Sequence, residues 1–334
     1  MHSLDKLINE QLYYTLSDQD RETAIDVADL LLTIKQILIT NYQRIKPEYN
    51  FRKYLQIVFE PRTRNGEIIS ELLERNIDII IEKLHYKGIP AELVEMKDDD
   101  GSSHYVIHLT KIKLFDQETK KSIDADIYFS PKVSDTNAAA DVINKHVTFY
   151  SRLMTYSDLD MYGIVYHEFI HMTQPVKKLP RRYIAAIKPR AGDYTPLMDW
   201  YNYMRAHIEF EAQLGGSMEV IRHRFFSLYE KAANNELWQR SRNIQLSNIK
   251  KISELNRKDV LREFSINYTE ENSMPYDNSI IPSNDTNLLT LIYYSSIGDD
   301  KMNNNVGRLR WNQLINAFKH LYKYLSGLKD YETK

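Results

Sequence analysis

The stretch His167-Glu168-Phe169-Ile170-His171 places two histidines four positions apart, with a glutamate directly after the first. On an α-helix, positions i and i+4 lie one turn apart on the same face, so both imidazoles can bind a single ion. Glu168 lies about 100° around the helix from His167, so its carboxylate can reach a water beside that ion without being a ligand. This division of roles is typical of a site in which a general base acts on a water whose pKa the metal has lowered.

The flanking residues predict a helix over residues 158–173. Asp158 is placed to cap this helix, and Pro175 ends it. The apolar residues along one of its sides are Met161, Val165 and Met172. A histidine pair in a buried helix can instead serve core packing or hydrogen bonding, so the metal interpretation depends on finding further ligands.

A catalytic zinc site usually has three protein ligands and a water, and no third histidine follows closely after His171. The segment 205–213 is the best source of a third ligand, because it combines strong helix formers with two carboxylates and a histidine. We favour Glu209, since Ala206, Ala212 and Gly216 on its helix face let another helix approach closely. Glu211 shares its face with His207 and Leu214. The alternative is that both glutamates are solvated helix carboxylates, as most are.

His167 to Gln174, followed by Glu209-Phe210-Glu211-Ala212, resemble the HExxHxxQ and ExxA pattern of zincin-like metallopeptidases of the gluzincin type, many of them encoded by bacteriophages. The resemblance covers about residues 120–216. It implies a zincin-like core with Zn²⁺ held by His167, His171 and Glu209, and with Glu168 as the general base. The NExxxD-type pattern of the second helix is absent, because Ile208 and Gln213 replace its Asn and Asp. The residues that orient the two histidines therefore stay unassigned.

The same resemblance implies a substrate-binding strand before the active helix. By position the candidate is residues 146–151, because β-addition reads backbone with little demand on sequence. An ordinary core strand is the equally weighted alternative. A transition-state oxyanion also needs a hydrogen-bond donor, and the candidates near the third-ligand helix are Tyr201, Tyr203 and His207.

Other polar clusters rank lower as functional sites. His104 and His108 share one strand face, and we interpret them as structural. Residues 98–100 lack the downstream Glu of an EF-hand and indicate a turn. The basic residues after the active helix are interpreted as a solvated loop; they are Lys177, Lys178, Arg181 and Arg182.

The hydrophobic pattern predicts an α+β protein in three regions. Residues 1–90 form an N-terminal helical region, with a long helix capped by Asp18 or Asp20 and a second helix from Gly66 to about His85. Residues 91–216 form the zincin-like catalytic core, with a small mixed sheet packed on the HExxH helix. Its predicted strands span residues 91–96, 104–115, 122–129 and 146–151. Residues 217–334 form a C-terminal helical region that ends in a helix over 309–328.

Composition narrows the class of protein. The 334 residues carry a formal net charge of -2, so no nucleic-acid or membrane partner is expected. The chain contains no cysteine, which excludes disulfides, thiolate metal sites and cysteine nucleophiles. We see no signal peptide and no membrane span, so we expect a cytoplasmic or virion-associated protein.

The leading hypothesis is therefore a zinc-dependent peptidase that acts on a peptide or protein substrate. The first alternative is a phage virion or assembly protein that keeps a zincin fold for binding or structure, with assembly partners held by the flanking helical regions. A metal-dependent amidase of cell-wall peptides ranks third, because no wall-binding repeat is visible.

Overall fold

A computed structural model describes residues 16–45, 73–86, 88, 90–97, 103–116, 120–132, 134, 136–141, 144–174, 207–232, 235–267, 281, 286–297 and 305–330. Internal contacts group the chain into two compact units. One unit spans Tyr13–Arg181, and the other joins Met1–Leu12 to Arg182–Lys334. The three-region division stays a prediction.

The unit Tyr13–Arg181 combines helices with a small sheet. Its helices are α1 (Asp18–Ile45), α2 (Ile77–Tyr86) and α3 (Asp158–Thr173). Its strands are β1 (Ala91–Lys97), β2 (Ser103–Asp116), β3 (Lys121–Ser130), β4 (Ala138–Asp141) and β5 (His146–Tyr150). A 3₁₀ turn over Ser151–Thr155 leads from β5 to α3. The four strands predicted from the sequence are confirmed to within one residue at each end, and the α+β class is confirmed with them.

The sheet is mixed, with the strand order β1-β2-β3-β5-β4. Neighbouring strands are antiparallel except for β3 and β5, which run parallel. The sequence did not predict β4, because its residues Ala138-Ala139-Ala140-Asp141 have low strand propensity. This strand is specified by its ladder to β5, in which Ala139 faces Thr148 and Ala140 faces Val147.

Of the two equally weighted interpretations of residues 146–151, a substrate-binding strand and an ordinary core strand, this order favours the core strand. β5 pairs with β3 on one side and with β4 on the other, so its backbone groups are already used within the sheet. β4 ends the strand order, and no described strand pairs with its outer side. Among the described strands the sheet therefore has two edges, β1 and β4, and the β4 edge contacts α3.

The core of this unit is built by strand register. Ile107, Phe129 and Phe149 lie side by side across β2, β3 and β5, and all are buried. Leu109, Ile127 and Val147 form the next buried row on the same face. Cross-strand apolar pairs of this kind fix the register, because a slip by one residue would turn each row to the opposite face.

The N-terminal helix α1 packs along α3. The predicted stripe of Ala24, Val27, Leu31, Ile34 and Leu38 is buried. The cap prediction was wrong: Ser17 accepts the backbone N–H of Asp20 at 3.1 Å, and its hydroxyl donates to the Asp20 carboxylate at 2.7 Å. The other carboxylate oxygen of Asp20 accepts the backbone N–H of Phe115 at 2.7 Å, which fixes the start of α1 against β2.

The second predicted helix, from Gly66 to about His85, is confirmed only in its later part. Residues 73–75 form one helical turn, Asn76 forms a turn, and α2 begins at Ile77. Residues 66–72 lie outside the described part of the chain. Asparagine favours such an interruption, since its side chain can compete with the helical hydrogen bonds of the backbone.

The second unit is helical throughout its described part. Its helices are α4 (His207–Ala232), α5 (Glu236–Ser253), α6 (Arg257–Asn267), α7 (Thr286–Ile297) and α8 (Asn305–Asp330). α4, α5 and α8 contact one another, and α7 contacts α4, α6 and α8. Its fully buried residues include Phe210, Leu214, Leu291, Ile292, Leu314 and Phe318. The predicted final helix over 309–328 is confirmed and extends further at both ends.

Within the described ranges, no helix is long and apolar enough to cross a membrane.

Candidate metal centre

The helix that carries the histidine pair, α3, has a well-defined start. Ser157 is its cap: the Ser157 Oγ accepts the backbone N–H of Asp160 at 3.1 Å and donates to the Asp160 carboxylate at 2.6 Å. The prediction of Asp158 as the cap was wrong. Asp158 is the first helical residue, and its carboxylate accepts a hydrogen bond from the Lys35 ammonium at 2.8 Å. This contact, and the hydroxyl of Tyr162 donating to Asp29, tie α3 to α1.

The end of α3 is fixed just after the second histidine. Gln174 caps the helix, and its backbone N–H reaches the carbonyls of Ile170 at 3.0 Å and His171 at 3.3 Å. Lys145 donates its ammonium proton to the carbonyl of Met172 at 2.5 Å, where a cation is favoured by the helix dipole. The chain leaves the helix at Gln174 in an extended conformation, as expected for a residue before a proline.

His167 and His171 meet as the helical spacing predicts. Both are buried, with exposed fractions of 8% and 5%, and their Nε2 atoms lie 3.0 Å apart. Two nitrogens bound about 2.0–2.1 Å from one tetrahedral ion would lie about 3.3 Å apart. Binding one ion through both Nε2 atoms therefore requires only a small change in their separation, together with loss of the proton that lies between them in the hydrogen bond.

The second ring nitrogen of His171 already has a partner. Nδ1 lies 3.0 Å from the side-chain Oε1 of Gln174, which is itself buried. A carbonyl oxygen only accepts, so this contact is a hydrogen bond when Nδ1 carries the proton. Glu168 is half-buried beside the pair on the same helix.

Among the described residues, one set of three side chains has ligand atoms that all lie within 4.8 Å of one another: His167, His171 and Glu209. The set consists of two imidazole nitrogens and one carboxylate oxygen. Zinc accepts this combination of ligands, so the residues fit the ion that the sequence pattern implies.

Glu211, the other candidate for the third ligand, has a different environment. It is fully buried, and a carboxylate oxygen accepts a hydrogen bond from the side-chain amide of Gln313 on α8 at 3.0 Å. The alternative in which Glu211 is a solvated helix carboxylate is therefore wrong. This hydrogen-bond partner lies 102 positions away, so no local pattern around Glu211 reveals it.

The remaining residues considered in the sequence are the candidate oxyanion donors and the two histidines on β2. Tyr201 and Tyr203 lie outside the described residues, and of His207 the structure describes only the backbone at the start of α4. The oxyanion assignments therefore stay predictions. His108 lies between Glu92 at 2.9 Å and Asp126 at 3.2 Å, and His104 Nε2 lies 3.3 Å from the Ser130 hydroxyl. These contacts agree with the structural role predicted for both.

Sequence reasoning missed Lys145 and left Gln174 without a role. Lys145 is in a turn just before β5, and nothing in the local sequence connects it to the end of α3. Gln174 was visible only as the last residue of the HExxHxxQ pattern. Its position three residues after His171 is the signal that could have assigned it, because such residues are neighbours on a helix.

No protein-family model, curated protein or solved structure matches this chain.

Proposed function

We propose that this protein is a zinc-dependent peptidase built around His167, His171 and Glu209. The observation that carries the proposal is the buried histidine pair, with Nε2 atoms 3.0 Å apart, grouped with the Glu209 carboxylate. Core histidines that serve only packing have no need to bring two ring nitrogens and a carboxylate together. Zinc favours nitrogen and oxygen ligands of this kind in catalytic sites, and the chain has no thiolate to offer.

Bound zinc would polarise the scissile carbonyl and lower the pKa of a water molecule. The proposed role of Glu168 is general base: it takes a proton from that water and later passes it to the leaving amine. Glu168 is suited to this because it lies next to His167 on α3 but outside the group of three ligand residues. Its half-buried position strengthens its electrostatic interactions with the reacting atoms relative to water.

We propose that the zincin-like core receives substrate along the open edge of β4. A peptide in extended conformation can add to such an edge through backbone hydrogen bonds, with little demand on its sequence. β4 contacts α3, which carries Glu168 and both histidines. This supports an extended peptide or protein segment as the substrate.

A structural or assembly role, such as that of a phage virion protein, is the alternative. The helices of the second unit favour it, since they exceed what a minimal peptidase needs. Glu168 disfavours it, because a metal site kept only for structure has no use for a base. An amidase of cell-wall peptides would use the same metal chemistry and differs only in substrate.

Metal analysis tests the proposed centre. Protein purified without chelator should contain about one zinc per chain, and a chelator should remove it. His171→Leu, which deletes one ligand but keeps an apolar helix former, is the matched control and should lose the metal. Unaltered protein that contains no stoichiometric transition metal would refute the proposal.

Hydrolysis is tested separately with a peptide library read by mass spectrometry. The wild-type protein should cleave, and Glu168→Gln should retain zinc and nearly the same stability while losing cleavage, because the base is not a ligand. A zinc-containing wild type that cleaves neither proteins nor cell-wall peptides would favour the assembly role. Equal cleavage by the Glu168→Gln variant would show that Glu168 is not the base.

A further inference from the structure

We infer that Gln174 is the positioning residue of the metal centre: its side-chain oxygen holds His171 in the Nδ1–H tautomer, so that Nε2 presents its lone pair toward His167. This inference rests on the proposed function for the identity of the ligand, but the tautomer can be measured without any metal.

The geometry supports this role through one short contact. Gln174 Oε1 lies 3.0 Å from His171 Nδ1, and both residues are at least nine-tenths buried. A neutral imidazole has one donor and one acceptor nitrogen, so a donor bond from Nδ1 leaves Nε2 as the acceptor. Nε2 is the atom that faces the ring of His167 at 3.0 Å. In water, without such a partner, the imidazole would be free to exchange between its tautomers.

The backbone makes this contact precise. The main-chain N–H of Gln174 bonds to the last turn of α3, and the bond from Lys145 to the Met172 carbonyl fixes the same end of the helix. The side chain of Gln174 therefore starts from a defined position, three residues after the histidine that it orients. Because the cap uses only backbone atoms, a substitution at Gln174 can remove the side-chain acceptor and leave the helix end intact.

The NExxxD-type pattern is absent from the second helix, so the sequence assigns no partner to the ligand histidines. Gln174 is such a partner for His171. Ligand histidines commonly donate their second ring N–H to a carboxylate or carbonyl oxygen, and loss of that partner typically lowers metal affinity 10- to 100-fold. The carboxamide does this without adding a charge to a buried site. That matters here because an ionised carboxylate in the same place would need its own compensation.

The experiment compares three variants with the wild type. Gln174→Met keeps the length of the side chain and removes the acceptor, whereas Gln174→Glu keeps an acceptor. Thr173→Val is the matched control, because it removes the bond from the Thr173 hydroxyl to the Ile170 carbonyl at the same helix end without touching the imidazole. Long-range ¹H–¹⁵N correlation spectra of metal-free protein report the His171 tautomer, with His171→Leu used for assignment. Competition with a chromogenic chelator reports zinc affinity.

We expect the Nδ1–H tautomer in the wild type, in Thr173→Val and in Gln174→Glu, and a shift toward the Nε2–H form in Gln174→Met. Zinc affinity should fall about 10- to 100-fold in Gln174→Met and change less than that in the other two. A wild type in the Nε2–H form would overturn the inference, as would a Gln174→Met variant with unchanged tautomer and affinity. A wild type that binds no zinc would defeat the proposed function alone, since the tautomer result would still decide the role of Gln174.

Discussion

Glu209 and Glu211 lie two positions apart near the start of α4, and their carboxylates have different surroundings. Glu209 belongs to the group of ligand atoms, whereas Glu211 is buried and bonded to Gln313. On an ideal helix the two side chains point about 200° apart, so they cannot serve the same ion. The two residues therefore offer an internally controlled pair of variants.

We predict that Glu209→Ala lowers zinc affinity by more than the 10- to 100-fold expected for losing an orienting partner, because a ligand is lost. Glu211→Ala should leave zinc affinity nearly unchanged. It should instead lower the free energy of unfolding by about 1–3 kcal/mol, since the Gln313 amide is left buried without this acceptor. Chelator competition and urea unfolding measure the two effects. A large loss of affinity in Glu211→Ala alone would reverse the assignment, and no loss in either would exclude α4 from the site.

For individual residues, the sequence predicted those contacts that lie within one turn of a helix. The relation between His167 and His171 follows from one helical turn, so spacing alone predicted that their rings meet. The hydrogen-bond partner of Glu211 lies on α8, and the bond to the Met172 carbonyl depends on Lys145 in a turn before β5. Contacts between residues distant in sequence have no periodicity that could reveal them.

At the scale of elements, α1 and α3 begin in the same way. Ser17-Asp18-Gln19-Asp20 and Ser157-Asp158-Leu159-Asp160 each place a capping serine three positions before an aspartate. Each serine bonds to the backbone N–H and the carboxylate of that aspartate. The sequence offered several capping side chains in a row, which explains why both caps were assigned to aspartates. Strands with clear alternation were predicted correctly, whereas the alanine-rich β4 was not.

Asp20 gives a pH-dependent prediction. Burial raises the pKa of its carboxyl above the usual value for aspartate, although the bonds from Ser17 and Phe115 act in the opposite direction. Because the folded state holds the proton more tightly, the stability from Asp20 is full below the unfolded pKa and is lost as pH rises through the higher folded value. Asp20→Asn, which does not ionise, should therefore become more stable relative to the wild type as pH increases from about 4.

Urea unfolding of both proteins at several pH values between 4 and 8 measures this difference. At every pH, the altered bond to Ser17 should lower the free energy of unfolding of Asp20→Asn by about 1 kcal/mol. The prediction is therefore tested by how the difference in free energy between the two proteins changes with pH. A difference in free energy that is independent of pH would contradict the assignment of a raised pKa to Asp20.

At the scale of the whole molecule, metal binding should appear as thermal stability. Ligand residues are assembled only in the folded chain, so free zinc at 100 times its Kd should add about 2.7 kcal/mol. For a cooperative unit of 150–250 residues this corresponds to a rise in Tm of about 5–10 °C. Calorimetry with and without zinc measures the shift. Calcium, which prefers oxygen ligands, should give no comparable rise, and neither should zinc with His171→Leu. An equal shift in that variant would place the bound zinc elsewhere.

The packing of α1 against α3 also has a consequence for synthesis on the ribosome. Lys35 on α1 bonds to Asp158, which lies 123 positions further along the chain. At about 5–20 residues per second, the ribosome needs about 6–25 s to make the intervening segment. During that time the apolar stripe of α1 has emerged without the helix that covers it. The nascent chain therefore passes through a period in which α1 is available to chaperones or to other nascent chains, and this period ends only when α3 has left the ribosome.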